Sequence, residues 1–209
     1  MPMTPDPPAS WRDIPGWSRN LEWLYRDVVD WADDGACFVE VGVWLGRSAC
    51  MMGELIRESG KTIALSAVDT FEGTPGNPEH EATVTEHGGS LLSAFWANLD
   101  ALDVERFVTP IVGRSLDVAR AFPDRSIDFL CLDADHSTPA LLADLAAWMP
   151  KLKPDGIAAG HDLALPTVRA AVAERFGRDY LAWNGCWIHT HNADFRRRPR
   201  ERQRKAKER

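Results

Sequence analysis

Residues 37–60 read CFVEVGVWLGRSACMMGELIRESG. The first seven, CFVEVGV (37–43), are a short apolar run closed by Gly42, the pattern of a strand buried on both faces. SACMMGELIRESG (48–60) then predicts a helix, with Ser48 near its start and Gly60 as its C-terminal stop. The same alternation continues downstream. TIALSAVDTF (62–71) reads as a second buried strand, and EGTPGNPEHEATVTEHGG (72–89) as a long polar loop. A helix over 90–103, a strand over 106–113 and a short helix over 115–122 follow. SIDFLCLDAD (126–135) is a fourth strand, 138–156 an amphipathic helix, IAAGHDL (157–163) a fifth strand and 166–177 a helix with Pro first and Gly last. CWIHTHN (186–192) closes the fold as an alternating, aromatic strand on an antiparallel edge. Upstream, 17–33 repeats Trp17, Leu21, Leu24, Val28 and Trp31 at helical spacing, which places these aromatics in the core. Strands separated by helices give right-handed crossovers, so the sheet is mostly parallel with helices on both faces.

The chain has 209 residues, enough for one domain with decorations, and its 44% hydrophobic and 26% charged residues are those of a globular protein. No apolar run approaches the roughly 20 residues of a membrane span. MPMTPDPPAS (1–10) has neither the basic nor the apolar region of a signal peptide, which points to a cytoplasmic protein. Cys37, Cys50, Cys131 and Cys186 form no CxxC pair and read as reduced, mostly buried thiols. The tail RRRPRERQRKAKER (196–209) carries nine of the 24 Lys and Arg and two of the 31 Asp and Glu, so it nets +7 and the body −14. Residues 1–15 and 196–209 are therefore expected to be disordered, around one domain at 16–195. The acidic body argues against a nucleic-acid-binding core, although the tail has the charge to hold RNA.

In such sheets ligands bind beyond the carboxyl ends of the strands. Seven carboxylate or imidazole groups fall there: Glu40, Asp69, Asp133, Asp135, His136, His161 and Asp162. A dinucleotide pyrophosphate needs GxGxxG so that backbone can approach it, and Trp44 occupies the second glycine position. A nucleoside-like ligand without phosphates, bearing positive charge for an acidic pocket, points to S-adenosyl-L-methionine.

The segments EVGVWLGRS, AVDTFEG, DFLCLDADHS, DLAAWMPKLKPDGIAAGHD and CWIHT resemble the class I S-adenosylmethionine-dependent methyltransferases. The similarity is to the small-molecule O-methyltransferase-like group with DxDHS and GHD signatures, and runs from about residue 36 to 190. It implies a Rossmann-like, doubly wound seven-stranded sheet. It also implies that Glu40 and Gly42 hold the methionine part of the cofactor, that Asp69 holds ribose and that Ser115 borders adenine. Gly46 and Ser48 in the same glycine loop, and Asp133 after strand four, complete the implied cofactor set. Asp155 departs from the group, which has KPGG where this chain has KPDG. Each residue also has a plainer reading: Gly42 ends a strand, Asp69 caps the next loop and Ser115 caps a helix.

Methyl transfer to a hydroxyl needs an aligned acceptor and a way to remove its proton. Asp133 and Asp162 end adjacent strands and have the placement to share a divalent cation, magnesium or manganese. His161 stands where related enzymes have a carboxylate, and imidazole suits manganese, iron or zinc better than magnesium. The metal-free route uses His136 or His161 as base, oriented by Asp135 or Asp162, while the plainer reading has His136 and Ser137 starting a helix as a cap and Asp135 bonding local backbone. Trp44, Phe71, Trp183 and Trp187 are candidates to line a small-molecule acceptor pocket, although such aromatics are more often core, and residues 72–89 are expected to form a lid. RNA methylation anchored by the tail and a non-catalytic binding module are the competing readings. The sequence leaves the oligomeric state open.

Overall fold

A computed structural model describes residues 7–18 and 20–198. Seven strands form one sheet: β1 (Cys37–Val41), β2 (Ala64–Asp69), β3 (Val108–Val112), β4 (Ile127–Leu132), β5 (Leu152–Gly160), β6 (Leu181–Trp183) and β7 (Cys186–Thr190). Their order is β3-β2-β1-β4-β5-β7-β6. The first five are parallel, and β7 runs antiparallel to both β5 and β6. The antiparallel end of the sheet is thus a hairpin. β6, only three residues long, takes the edge, and β7 lies one strand in.

Period-two alternation splits the apolar residues between two layers. Phe38, Leu65, Phe129 and Ile157 face α1 (Leu21–Trp31), α2 (Arg47–Ser59) and α4 (Leu92–Ala101). Val39, Val68, Leu130 and Ala158 face α5 (Ser115–Ala119), α6 (Thr138–Trp148) and α7 (Pro166–Phe176). Burying each large side chain contributes roughly 1.5–3 kcal/mol before chain entropy is counted. The crossovers run outward from β1 to β3, then return to place β4 beside β1. The crevice above β1 and β4 is therefore the switch point of the sheet.

Several local expectations give way. Residues 72–89 are not wholly loop, because α3 (Pro78–Glu86) forms there with Asn77 as its N-cap and Pro78 at its first turn. β5 starts at Leu152, so LKPDG (152–156) belongs to a strand entrance with a register shift rather than to the helix exit. Ser10 caps a short 3-10 turn over Trp11–Asp13, and Trp11 and Ile14 are buried, so order begins before residue 16. Residues 193–198 are helical, with Phe195 buried. Arg196 donates to an Asp179 carboxylate oxygen (2.8 Å) and to the Thr190 carbonyl (2.9 Å). The basic stretch beyond 198, on which RNA anchoring rests, lies outside the described residues. Among those described, no helix is long and apolar enough to cross a membrane. Cys50, Cys131 and Cys186 are buried free thiols.

Candidate functional site

The switch point is tied together by backbone. The Gly42 N–H donates to the Val68 carbonyl (2.8 Å) and the Asp133 N–H to the Val41 carbonyl (2.8 Å). Gly42 has φ +87°, and a Cβ there would run into the Asp133 carbonyl and Ala134 Cα. Its need for glycine is met by this approach of the β4 terminus. Gly46, at φ +92°, lies against the Phe95 ring at the N-cap of α2.

Asp69 organises the loop between β1 and α2. Its Oδ2 accepts from the N–H groups of Val43 (2.8 Å) and Trp44 (3.0 Å), and its Oδ1 from the Phe71 N–H (2.8 Å). These bonds hold Trp44 at φ +52°, a left-handed conformation costly for a bulky residue.

Glu40 is 1% exposed, and neither carboxylate oxygen has a hydrogen-bond partner. Burial pushes its carboxyl up to about 8, and the charges of Asp133 and Asp69 push the same way. The Ser48 and Tyr25 hydroxyls ease the cost of charging it without closing a bond, and Tyr25 Oη is itself unpartnered. A buried carboxylate left open in this way is complementary to a cation.

Beyond β4 and β5 a cavity of about 550 Å³ opens. Asp133, Asp135, His136, His161 and Asp162 line one side of it, so the structure brings together every residue expected to do chemistry. His136 stands between the two strand-end acids, with Nε2 3.2 Å from Asp133 Oδ1 and 3.4 Å from Asp162 Oδ2. The hydrogen bond to Asp133 holds its pKa above the ordinary imidazole value against the opposing effect of burial. His161 Nδ1 lies 3.2 Å from Asp162 Oδ1. Asp162 itself has φ +54°, a strained conformation of the kind that concentrates at functional sites. Asp135 accepts instead from the Ser137 N–H (2.8 Å) at the start of α6, so Asp133 and Asp162, not Asp135, orient His136. One oxygen or nitrogen from each of Asp133, His136 and Asp162 lies within 4.8 Å of the others, a donor set able to hold a metal ion.

The implied cofactor set divides differently. Glu40, Gly42, Gly46, Ser48, Asp69 and Ser115 do not line this cavity; of that set only Asp133 does. The Ser115 hydroxyl donates to Asp144 and accepts from the Trp148 indole N–H (2.9 Å), which turns it into the α5–α6 interface. For the four aromatics, the plainer core reading holds. Phe71 and Trp187 are fully buried, and Trp183 packs on the core.

Trp17, Thr74, Asn77 and His80 also line this cavity. Trp17 is 56% exposed rather than core. His80 stacks on Trp44 at 4.3 Å between centroids, and Trp17 lies 6.0 Å from His80. The His80 Nδ1 accepts from the Thr74 N–H (3.2 Å), fixing the loop against α3. Sequence reasoning missed Asn77 and His80. The signal available was Asn-Pro-Glu at 77–79, a helix-start pattern inside the segment taken as loop.

Solved structures share this architecture. The O-methyltransferase NovP superposes with a TM-score of 0.61 at 19% identity over 82% of this chain and 78% of its own. Cofactor-bound Rv0187 from MTB gives 0.59 at 15% identity, covering 90% and 84%. The calicheamicin methyltransferase CalS11 gives 0.54 at 19% identity, covering 82% and 77%. At these identities the likeness is one of fold. No curated protein matches the sequence. The family model described as "Methyltransferase domain" matches residues 39–163, from the middle of β1 to just past the strained Asp162, and so spans the loop held by Asp69 and the acids around His136. That match takes in more than half of the chain, which therefore belongs to this methyltransferase-domain family.

Proposed function

We propose that this protein transfers the methyl group of S-adenosylmethionine to a hydroxyl oxygen of a small-molecule acceptor. The observation that carries the reading is the buried, unpartnered Glu40 carboxylate of β1, opposite Cys131 of β4, together with the cavity beyond β4 and β5 lined by His161 and Asp162. Bound S-adenosylmethionine supplies an electrophilic methyl on a sulfonium. Glu40 provides the counter-charge for its α-amino group, with the Ser48 hydroxyl beside it. Asp69 serves the cofactor twice. Its carboxylate has about four acceptor positions. Three of its interactions hold the loop, and the remaining position is available to a ribose hydroxyl. The O-methyltransferases among the structural neighbours support oxygen as the acceptor atom.

The chain's own residues supply acceptor activation. His161 removes the hydroxyl proton, with Asp162 at its Nδ1 fixing the ring and stabilising the imidazolium that forms. His136 stands between Asp133 and Asp162 with its pKa raised, and its protonated ring offsets the repulsion between the two acids. Trp17 and His80 bound the acceptor's side of the cavity.

A second reading rests on the Asp133, His136 and Asp162 donor set. These residues would hold a divalent ion that acidifies the acceptor hydroxyl, and the imidazole favours manganese over magnesium.

Turnover with a screened acceptor separates the two. In the metal-free reading a chelator leaves the rate unchanged, and His161→Ala slows it by roughly 10²–10⁴. Loss of activity on chelation, restored by manganese, selects the metal reading. Full activity of Asp133→Asn and Asp162→Asn removes both. Failure of S-adenosylhomocysteine to bind in titration calorimetry overturns the cofactor assignment itself.

A further inference from the structure

At the other end of the sheet lies a group of side chains that methyl transfer does not use. β7 runs against β5, with Trp187 opposite Gly160 and His189 opposite Ala158. Moving along β7 therefore leads away from the acids beyond β5. His189 and the residue two further on, His191, fall on the same side of an extended chain by period-two alternation. Asp179, in the connection between α7 and β6, comes up beside them. One donor atom from each of Asp179, His189 and His191 lies within 4.8 Å of the others. They line a cavity of about 500 Å³ together with Arg175, Phe176 and Met149.

We infer that Asp179, His189 and His191 form a second, structural site for a divalent transition metal such as zinc. Two imidazoles and one carboxylate are a donor set for zinc, cobalt, nickel or copper rather than for magnesium or calcium. The surroundings have the features of a supported site. His189 is 8% exposed, and its ring stacks on Phe176 at 4.2 Å and 14°. Its Nδ1 lies 2.6 Å from the Asp179 carbonyl oxygen, a hydrogen bond that sets the ring plane.

Asp179 is oriented from the far side. Arg196 holds its Oδ1 at 2.8 Å, while Oδ2 faces His189 Nδ1 at 3.8 Å. Arg196 and Arg175 are positive charges that a bound cation must tolerate, so affinity is set below that of an all-anionic cage. The ion would join the end of α7 to β7 and to residue 191, just before the helical residues 193–198. Its role is to fasten that segment to the body, independently of the transfer chemistry.

Cobalt binding to the full chain, carrying no added histidine tag, tests this. The probe is Co²⁺, whose visible absorption reports nitrogen and oxygen ligation. His191 is exposed and is the mildest ligand to remove. The Asp162→Asn variant should keep the absorption band, and His191→Ala should lose it or bind at least tenfold more weakly. Zinc should raise the melting temperature of Asp162→Asn but not of the double variant with His191→Ala. Equal cobalt affinity in Asp162→Asn and in that double variant overturns the site. So does a band lost in Asp162→Asn alone, which would assign the ion to the cluster at Asp133.

Discussion

His136 Nε2 lies 3.2 Å from Asp133 Oδ1, three residues back along the chain, and this short loop closure holds the imidazole against a carboxylate at the head of β4. The folded-state pKa of His136 is raised, chiefly by that bond. The charged imidazole therefore contributes stability that is fully present below the unfolded pKa and is lost as pH rises through the folded one. His136→Ala should cost about 1 kcal/mol in urea unfolding at acidic pH, discounted for partial exposure, and less at alkaline pH. A gap that widens with pH would reverse the sign and reject the bridge.

Glu40 behaves oppositely to a salt-bridged acid. Its carboxyl is pushed up to about 8 by burial, so the folded state binds a proton that the unfolded state has released. Between the ordinary carboxylate range and about 8, stability falls as pH rises. Glu40→Gln should therefore raise the melting temperature of the ligand-free protein at pH 8, while weakening S-adenosylhomocysteine at least tenfold. Unchanged affinity in titration calorimetry would show that the carboxylate meets no ligand.

Asp69→Ala leaves three backbone N–H groups without their acceptor. The expected loss is about 2–3 kcal/mol of stability, from hydrogen bonds to a charged group, together with weaker cofactor binding. An unchanged denaturation midpoint would refute the clamp, whatever happens to the affinity.

Trp17 is exposed at the acceptor side of the cavity, so Trp17→Ala should leave the fold intact. Losing one aromatic contact should raise the acceptor KM by about three- to tenfold and leave cofactor affinity alone. A kcat defect with unchanged KM would move Trp17 out of the acceptor wall.

Truncation separates the anchored part of the C-terminal segment from the rest. Ending the chain at Phe195 removes the bonds from Arg196 to Asp179 and Thr190. The melting temperature should fall by a few degrees, on the order of 1 kcal/mol. The chain ended at Arg198 keeps these bonds and should melt higher than the one ended at Phe195. Equal melting of both truncations would mean that Arg196 does not fasten the segment.

The five parallel strands were legible because each is a short apolar run closed by polar residues, and buried strands have no other use for that pattern. The acids and histidines at their ends could be gathered onto one rim for the same reason. Which way each side chain turns was not legible. Asp133 reaches His136 while Asp135 caps α6, a difference set by backbone direction after the strand ends. Ser115 turns to Asp144 because α6 packs beside it, a contact 29 residues away in sequence. α3 has no buried residue, so it shows no apolar period to detect. Trp17 keeps helical spacing with Leu21 yet precedes the helix, and periodicity alone assigned it to the core. β6 is too short for alternation to announce it.

The two strands at the margins of the sheet bear on how copies of this chain can meet. β3 carries Pro110 at its centre, which offers no N–H to a neighbour, and β6 presents only three residues. Neither margin is a template on which a second sheet can grow. Self-association by continuous β-pairing is thereby discouraged. The same blunting lowers the risk that a partly unfolded chain seeds fibrils through its own margins.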